Sequence, residues 1–208
     1  MVTKKLFGTL ADGREIDIYE IKNINGVSAS VITYGATWQS LFAPDRNGNF
    51  KDILIGFDDI EGHVERTDYQ GMIVGRYANR ICDGRFTVDG KEYSVTKNEK
   101  GITCLHGGGE FSHAVWTAEI KGDNALSLAY TSPEGSNGFP GVMTPYKNGS
   151  TNNHTSNCCD TTITQNQTTC PHLAKQNVCN KKTNTRSTTH QTKIKNEFLF
   201  RPYRFVIR

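Results

Sequence analysis

The sequence predicts an all-β protein, a sandwich or barrel of short antiparallel strands. Up to about residue 132, apolar and polar side chains alternate in short runs, turn pairs such as Asp12-Gly13, Asn47-Gly48 and Asp89-Gly90 punctuate them, and no long run carries helical period. Many short strands bury their apolar sides only by packing sheet on sheet or by closing on themselves.

The stretch "LFGTLADGREIDIYEI" reads as strand, Asp12-Gly13 turn and strand, with Ile16 and Ile18 alternating against Glu15 and Asp17. "VSASVITYGATWQSLFAPD" is a longer strand pair interrupted at Gly35, where a bulge or sharp bend is expected. Asn47-Gly48 then turns the chain into "DILIGF". "RFTVDGKEYSV" is the clearest hairpin: Phe86 and Val88 face one way, Asp89-Gly90 provides the positive φ angles of a two-residue turn, and Tyr93 and Val95 return. In "VWTAEIKGDNALSLAY", Trp116, Ala118 and Ile120 stand opposite Leu126, Leu128 and Tyr130 across Gly122-Asp123-Asn124.

At 208 residues the chain is long enough for one sizeable domain, but its composition divides near residue 144. Residues 1–144 hold 14 Lys+Arg against 19 Asp+Glu, a net of −5, whereas the last 64 carry 10 against 2, a net of +8. Nineteen of the 20 glycines precede residue 145. The remainder is rich in Thr, Asn and Gln with little to bury, so residues 145–208 are expected to form an irregular tail, with disorder over roughly 147–195. A basic tail of this kind holds nucleic acid only nonspecifically, and no specific nucleic-acid partner is expected.

No run approaches the ~20 apolar residues of a membrane span, and the start "MVTKKLFGTL" lacks the apolar core of a secretory signal. A cytoplasmic address is expected, without membrane partners. Cys82 and Cys104 fit a reducing compartment. The other four cysteines lie in the tail, where Cys158, Cys159, Cys170, His172 and Cys179 offer ligands but no C-x-x-C pair organises them, so no metal site is assigned.

Chemistry concentrates on either side of the Asp89-Gly90 hairpin. "GRYANRI" places Arg76, Asn79 and Arg80 just before it, and "CLHGGG" places His106 just after it. Arginine provides a planar fork of donors, asparagine a donor and an acceptor, and neutral histidine one of each, a set suited to a ligand covered in hydroxyls. The structural alternatives are a strand-end salt bridge for Arg80 and a satisfied turn histidine for His106.

"GRYANRI", "GRFTVDGKEY", "LHGG", "VW" and "YTSPEGSNGFPG", in this order, resemble the N-terminal half of the aldose 1-epimerase, or galactose mutarotase, family, and the opening from "FGTLADGREI" to "ILIGF" fits it as well. The resemblance covers about residues 5–144. It implies an incomplete galactose-mutarotase-like β-supersandwich that, as a complete enzyme, interconverts the α and β anomers of hexoses such as galactose or glucose without a cofactor. A base removes the O1 proton while an acid protonates the ring oxygen, the C1–C2 bond rotates in the open chain, and the roles reverse. By the same resemblance, Asn79, Arg80 and His106 bind the sugar.

After "GFPGVMT" the family pattern stops, and with it the histidine acid and glutamate base that the family carries further on. Catalytic residues therefore stay unassigned. "NNHTSN" around His154 echoes a family motif, but too soon after Gly141 and without packing aromatics, and Glu197 in "KIKNEFLF" has no strand or turn pattern to aim it. The seam at residues 144–146 suggests a shifted reading frame, with the tail never shaped as protein. Three functions remain open: an epimerase impaired by loss of its C-terminal half, a non-catalytic carbohydrate-binding module, and a nonfunctional fragment.

Overall fold

A computed structural model describes residues 1–66 and 68–150, together with the backbone of strand 162–166. The first sheet is a five-stranded antiparallel meander of β1 (Val2–Thr9), β2 (Glu15–Lys22), β3 (Ser28–Ile32), β4 (Thr37–Pro44) and β5 (Phe50–Asp52), in that order. The Asp12-Gly13 turn is closed by the Gly13 amide donating to the Leu10 carbonyl at 2.8 Å. At the interruption between β3 and β4, Tyr34–Ala36 turn the chain sharply, with Gly35 at φ +62° and Ala36 at +44°.

This sheet buries both faces. Tyr19, Ile21 and Val31 point to one side and Ile16 and Ile32 to the other, where Ile60 of the short helix α1 (Ile60–Glu65) covers them. The two-residue side-chain period of a strand thus serves two apolar clusters at once.

The middle of the chain forms two small ribbons. β6 (Arg80–Ile81) pairs with β9 (Cys104–Leu105), and β7 (Arg85–Val88) pairs with β8 (Lys91–Ser94) in register Phe86↔Tyr93 and Val88↔Lys91. Asp89 and Gly90 adopt φ of +49° and +78°, the two positive angles required by a tight hairpin that follows strand twist. Phe86, Val88, Val95, Ile81, Cys104 and Phe139 form one buried cluster beneath both ribbons.

After the one-turn helix α2 (Glu110–His113), the second sheet runs β10 (Thr117–Ile120), β11 (Ala125–Ala129), β12 (Thr144–Ser150) and β13 (Thr162–Asn166). The register Ala118↔Leu128 and Ile120↔Leu126 matches the alternation in the sequence. The main core joins the two sheets: Leu126 and Leu128 from the second meet Tyr19, Ile21 and Val31 from the first around Phe111 and Trp116. Trp116 sits edge-on to Phe111 and donates its indole N–H to the Phe111 carbonyl at 2.9 Å, so its one polar atom is satisfied inside the core.

One expectation needs correction. Irregular chain was expected from residue 147, yet β12 continues to Ser150 and pairs with β11 from Ala129↔Tyr146 to Ala125↔Ser150. Lys147, only 1% exposed, supports this strand because its ammonium donates to the Ala36 carbonyl at 2.5 Å and lies 4.3 Å from the centre of the Trp38 ring. β13 extends the sheet by five further residues, Thr162↔Asn148 to Asn166↔Thr144, in a stretch where β-branched threonine suits an extended backbone. His154, the four tail cysteines, His172 and Glu197 lie outside the described residues. Among the described residues no helix is long and apolar enough to cross a membrane.

Removing the central indole tests this packing. Trp116→Ala is expected to destabilise the chain by about 3–5 kcal/mol in urea unfolding, the usual cost of deleting a buried aromatic. Ile120→Ala, at a residue 46% exposed, is expected to change stability by less than about 0.5 kcal/mol.

Candidate functional site

The β6–β9 ribbon brings the two sequence motifs together. Arg80 pairs with Leu105 and Ile81 with Cys104; the inward Ile81 and Cys104 anchor the ribbon in the core, while Arg80 stays on the outside. Just off its end, Asn79 and His106 bind each other twice. The His106 amide donates to the Asn79 carbonyl at 2.9 Å, and the Asn79 amide donates to His106 Nδ1 at 3.0 Å.

That second bond determines the state of the ring. A backbone N–H can only donate, so Nδ1 carries a lone pair and the proton of the neutral ring resides on Nε2. Burial lowers the His106 pKa from its ordinary 6.5, and the positive Arg80 pushes in the same direction against a smaller opposing pull from Glu99. His106 therefore presents an Nε2–H donor near neutral pH. Its ring stands edge-on to Tyr69, centroids 4.8 Å apart. Both Asn79 (φ +68°) and His106 (φ +51°) hold left-handed backbone, uncommon for residues with a side chain and sustained here by their mutual bonds.

The bareness of the backbone after His106 has a steric reason. A Cβ on Gly107, at φ +66°, would come within 2.0 Å of the Gly75 carbonyl oxygen. Only glycine lets this loop touch the "GRYANRI" segment, which is how "LHGG" and "GRYANRI" share one site. The Asn137 side chain from the "SPEGSNGFPG" loop donates to the Gly107 carbonyl at 3.0 Å, fastening a third motif to the same loop.

Arg80 is held on two sides. Its Nε and Nη2 donate to the two carboxylate oxygens of Glu99 at 2.6 and 2.5 Å, and Nη1 donates to Asn79 Oδ1 at 3.2 Å. The fork, with a further bond from Thr103 Oγ1 at 2.6 Å, holds the Glu99 carboxyl down to about 2. The strand-end salt bridge expected as the structural alternative for Arg80 is present, while its guanidinium stays half-exposed.

Asn79, Arg80 and His106 are therefore all neighbours. Arg76, grouped with them by sequence, is directed elsewhere: its guanidinium bonds Ser132 Oγ and the carbonyls of Ser132, Pro133, Pro140 and Gly141, at 2.6–3.2 Å, and ties down the loop after β11. The Ser132 hydroxyl in turn donates to Glu110 Oε2 at 2.8 Å. Glu99, Thr103 and Tyr69 escaped the sequence reading. Glu99 had one visible clue, a lone acid in the connection between the hairpin and His106, but no spacing rule links it to Arg80.

Comparison with known proteins shows the family and the fold. The aldose 1-epimerase family matches residues 17–144. Galactose mutarotase of Rattus norvegicus is 37% identical over 144 residues, 68% of this chain and 41% of the relative, and aldose 1-epimerase of Escherichia coli (strain K12) is 31% identical over 64% and 38%. The chain spans about two-fifths of the length of these curated relatives. Among solved structures, an aldose epimerase homologue from C. elegans superposes with TM-score 0.58 at 31% identity over 63% of this chain and 40% of that one. Galactose 1-epimerase from Lactobacillus acidophilus NCFM, at 18% identity and TM-score 0.63 over 74% and 45%, shares the fold. Five motifs in register, the ribbon that joins them and a match over residues 17–144 lead to one conclusion: this chain belongs to the aldose 1-epimerase family.

Proposed function

We propose that this chain grips a hexose such as galactose or glucose at Asn79, Arg80 and His106, and that it interconverts the sugar's α and β anomers weakly or not at all. The convergence of these three side chains on one ribbon end carries the reading. A guanidinium has five N–H donors; with two given to Glu99 and one to Asn79, two remain for a ligand. The Nε2–H of His106 is a third donor from the same ribbon end, and sugar hydroxyls accept such bonds.

The same bonds limit catalysis. Ring opening needs a base for the O1 proton and an acid for the ring oxygen, each tuned near the working pH. Glu99, held at about 2, is a poor proton acceptor at pH 7. Arg80 stays protonated. His106 spends its Nδ1 lone pair on the Asn79 amide, so it donates rather than accepts. Arg80 and His106 orient hydroxyls and Glu99 holds Arg80, but none of the three moves the paired protons, and each absent acid or base typically forfeits about 10²–10⁴-fold in rate.

On the purified full chain, polarimetry with α-D-galactose is expected to give a mutarotation rate close to that of buffer; a rate near that of a complete mutarotase would contradict the reading. In equilibrium titrations with D-galactose, Arg80→Ala is expected to weaken binding about tenfold or more, the effect of losing a charged donor to a ligand hydroxyl.

Binding should also depend on pH. Because the folded-state pKa of His106 is lowered, the neutral ring and its bond from Asn79 are fully present above pH 6.5 and are lost as pH falls through the lower folded value. Protonation leaves the Nε2–H donor in place and removes only the Asn79 bond that aims the ring, so galactose affinity is expected to be level from pH 7 to 8 and to fall only as pH passes through the lowered folded value, below 6.5. Affinity unchanged while the His106 ring is seen by NMR to protonate would show that this bond does not aim the ring at the sugar.

A further inference from the structure

We propose that Glu99 is a positioning residue: it clamps one edge of the Arg80 guanidinium so that the remaining donors are presented in a fixed direction to the sugar. The proposal rests on the sugar-binding reading above and adds to it a residue that does not itself touch the ligand.

An exposed arginine has many rotamers, and ordering them at the moment of binding costs affinity. Here the ordering is done in advance. The two parallel bonds from Nε and Nη2 fix both the position and the plane of the guanidinium, which a single contact or a lysine would not do. Asn79 Oδ1 holds the third donor and so sets the orientation of the fork relative to His106.

The clamp is itself rigid, which separates it from an ordinary surface ion pair. The Glu99 side chain is 24% exposed against 48% for Arg80, so the carboxylate is the better-buried member. Its backbone is tied to Thr103 in both directions, the Glu99 amide to the Thr103 carbonyl at 3.1 Å and the Thr103 amide to the Glu99 carbonyl at 3.2 Å. Buried Thr103 adds its hydroxyl to Glu99 Oε2. The neighbouring Asn98 brackets Leu105, accepting from its amide at 2.7 Å and donating to its carbonyl at 2.9 Å. The loop that carries Glu99 is thereby locked to the strand that leads into His106. The carboxylate thus reaches His106 only by relay: Glu99 holds Arg80, Arg80 donates to Asn79 Oδ1, and the Asn79 amide donates to His106 Nδ1.

The test is a D-galactose titration of the full chain followed by NMR, with the Arg80 Nε–H and His106 imidazole signals resolved. Glu99→Gln has the same size but replaces one acceptor oxygen by a donor that faces an N–H, which breaks the fork. It is expected to weaken galactose binding about three- to tenfold, the range for a partly exposed charged contact. It should also shift and broaden the Arg80 Nε–H signal and lower the His106 pKa, because the Glu99 charge raises it. The His106 shift follows from the lost charge alone; the mobile Arg80 Nε–H signal together with the weakened affinity marks positioning, since a merely structural role would leave both unchanged in a folded variant. Glu99→Asp retains the charge but shortens the reach, and a smaller loss of affinity is expected; this variant decides the matter if Glu99→Gln does not fold.

Wild-type affinity in both variants, alongside lost affinity in Arg80→Ala, would overturn the positioning role and leave the sugar site standing. No galactose binding by the wild-type chain would overturn the sugar reading and this assignment with it.

Discussion

The reciprocal hydrogen bonds between Asn79 and His106 are the constraint on which the site depends. They close the end of a ribbon only two residues long, and they hold two side-chain-bearing residues in left-handed backbone. They also specify which nitrogen of His106 carries its proton. Everything beyond them is support: Ile81 and Cys104 root the ribbon in the core, Gly107 lets the backbone of the histidine loop reach the Gly75 peptide, and Asn137 and Arg76 fasten the loop that encloses them. Motifs far apart in sequence share one place because each supplies a contact that the others need.

Much of this was legible in the sequence because its physics is local. The Asp89-Gly90 hairpin, the bend at Gly35 and the alternation of Ala118 and Ile120 against Leu128 and Leu126 depend on residues close along the chain, and period and turn chemistry report them directly. The proximity of Arg80 and His106 could be anticipated from their places on either side of one hairpin. Glu99 could not, since its partnership with Arg80 depends on the conformation of the loop from 98 to 103, and a single acid in a connection has no characteristic spacing. Arg76 shows the complementary limit: adjacency to Asn79 in sequence says nothing of direction, and its guanidinium turns toward carbonyls more than fifty residues away.

Composition misled at residue 147. A segment of Thr, Asn and Lys lacks an apolar face, but pairing with β11 satisfies its backbone, and a carbonyl together with the Trp38 ring satisfies the one lysine that turns inward. Strand pairing needs a neighbour's unpaired edge more than it needs an apolar sequence.

Grip and turnover make opposite demands on the same groups. A binding site gains from a carboxylate tied to an arginine and from a histidine with one nitrogen committed, because both then present fixed donors; a proton-transfer site needs these groups free to change charge. The geometry favours grip, and a crystal structure of the full chain grown with D-galactose tests that claim most directly. The account predicts one hexose with hydroxyl oxygens within hydrogen-bonding distance of the Arg80 guanidinium and His106 Nε2, and with the Glu99 fork intact. A sugar bound elsewhere, or an Arg80 that leaves Glu99 to meet it, would contradict the account.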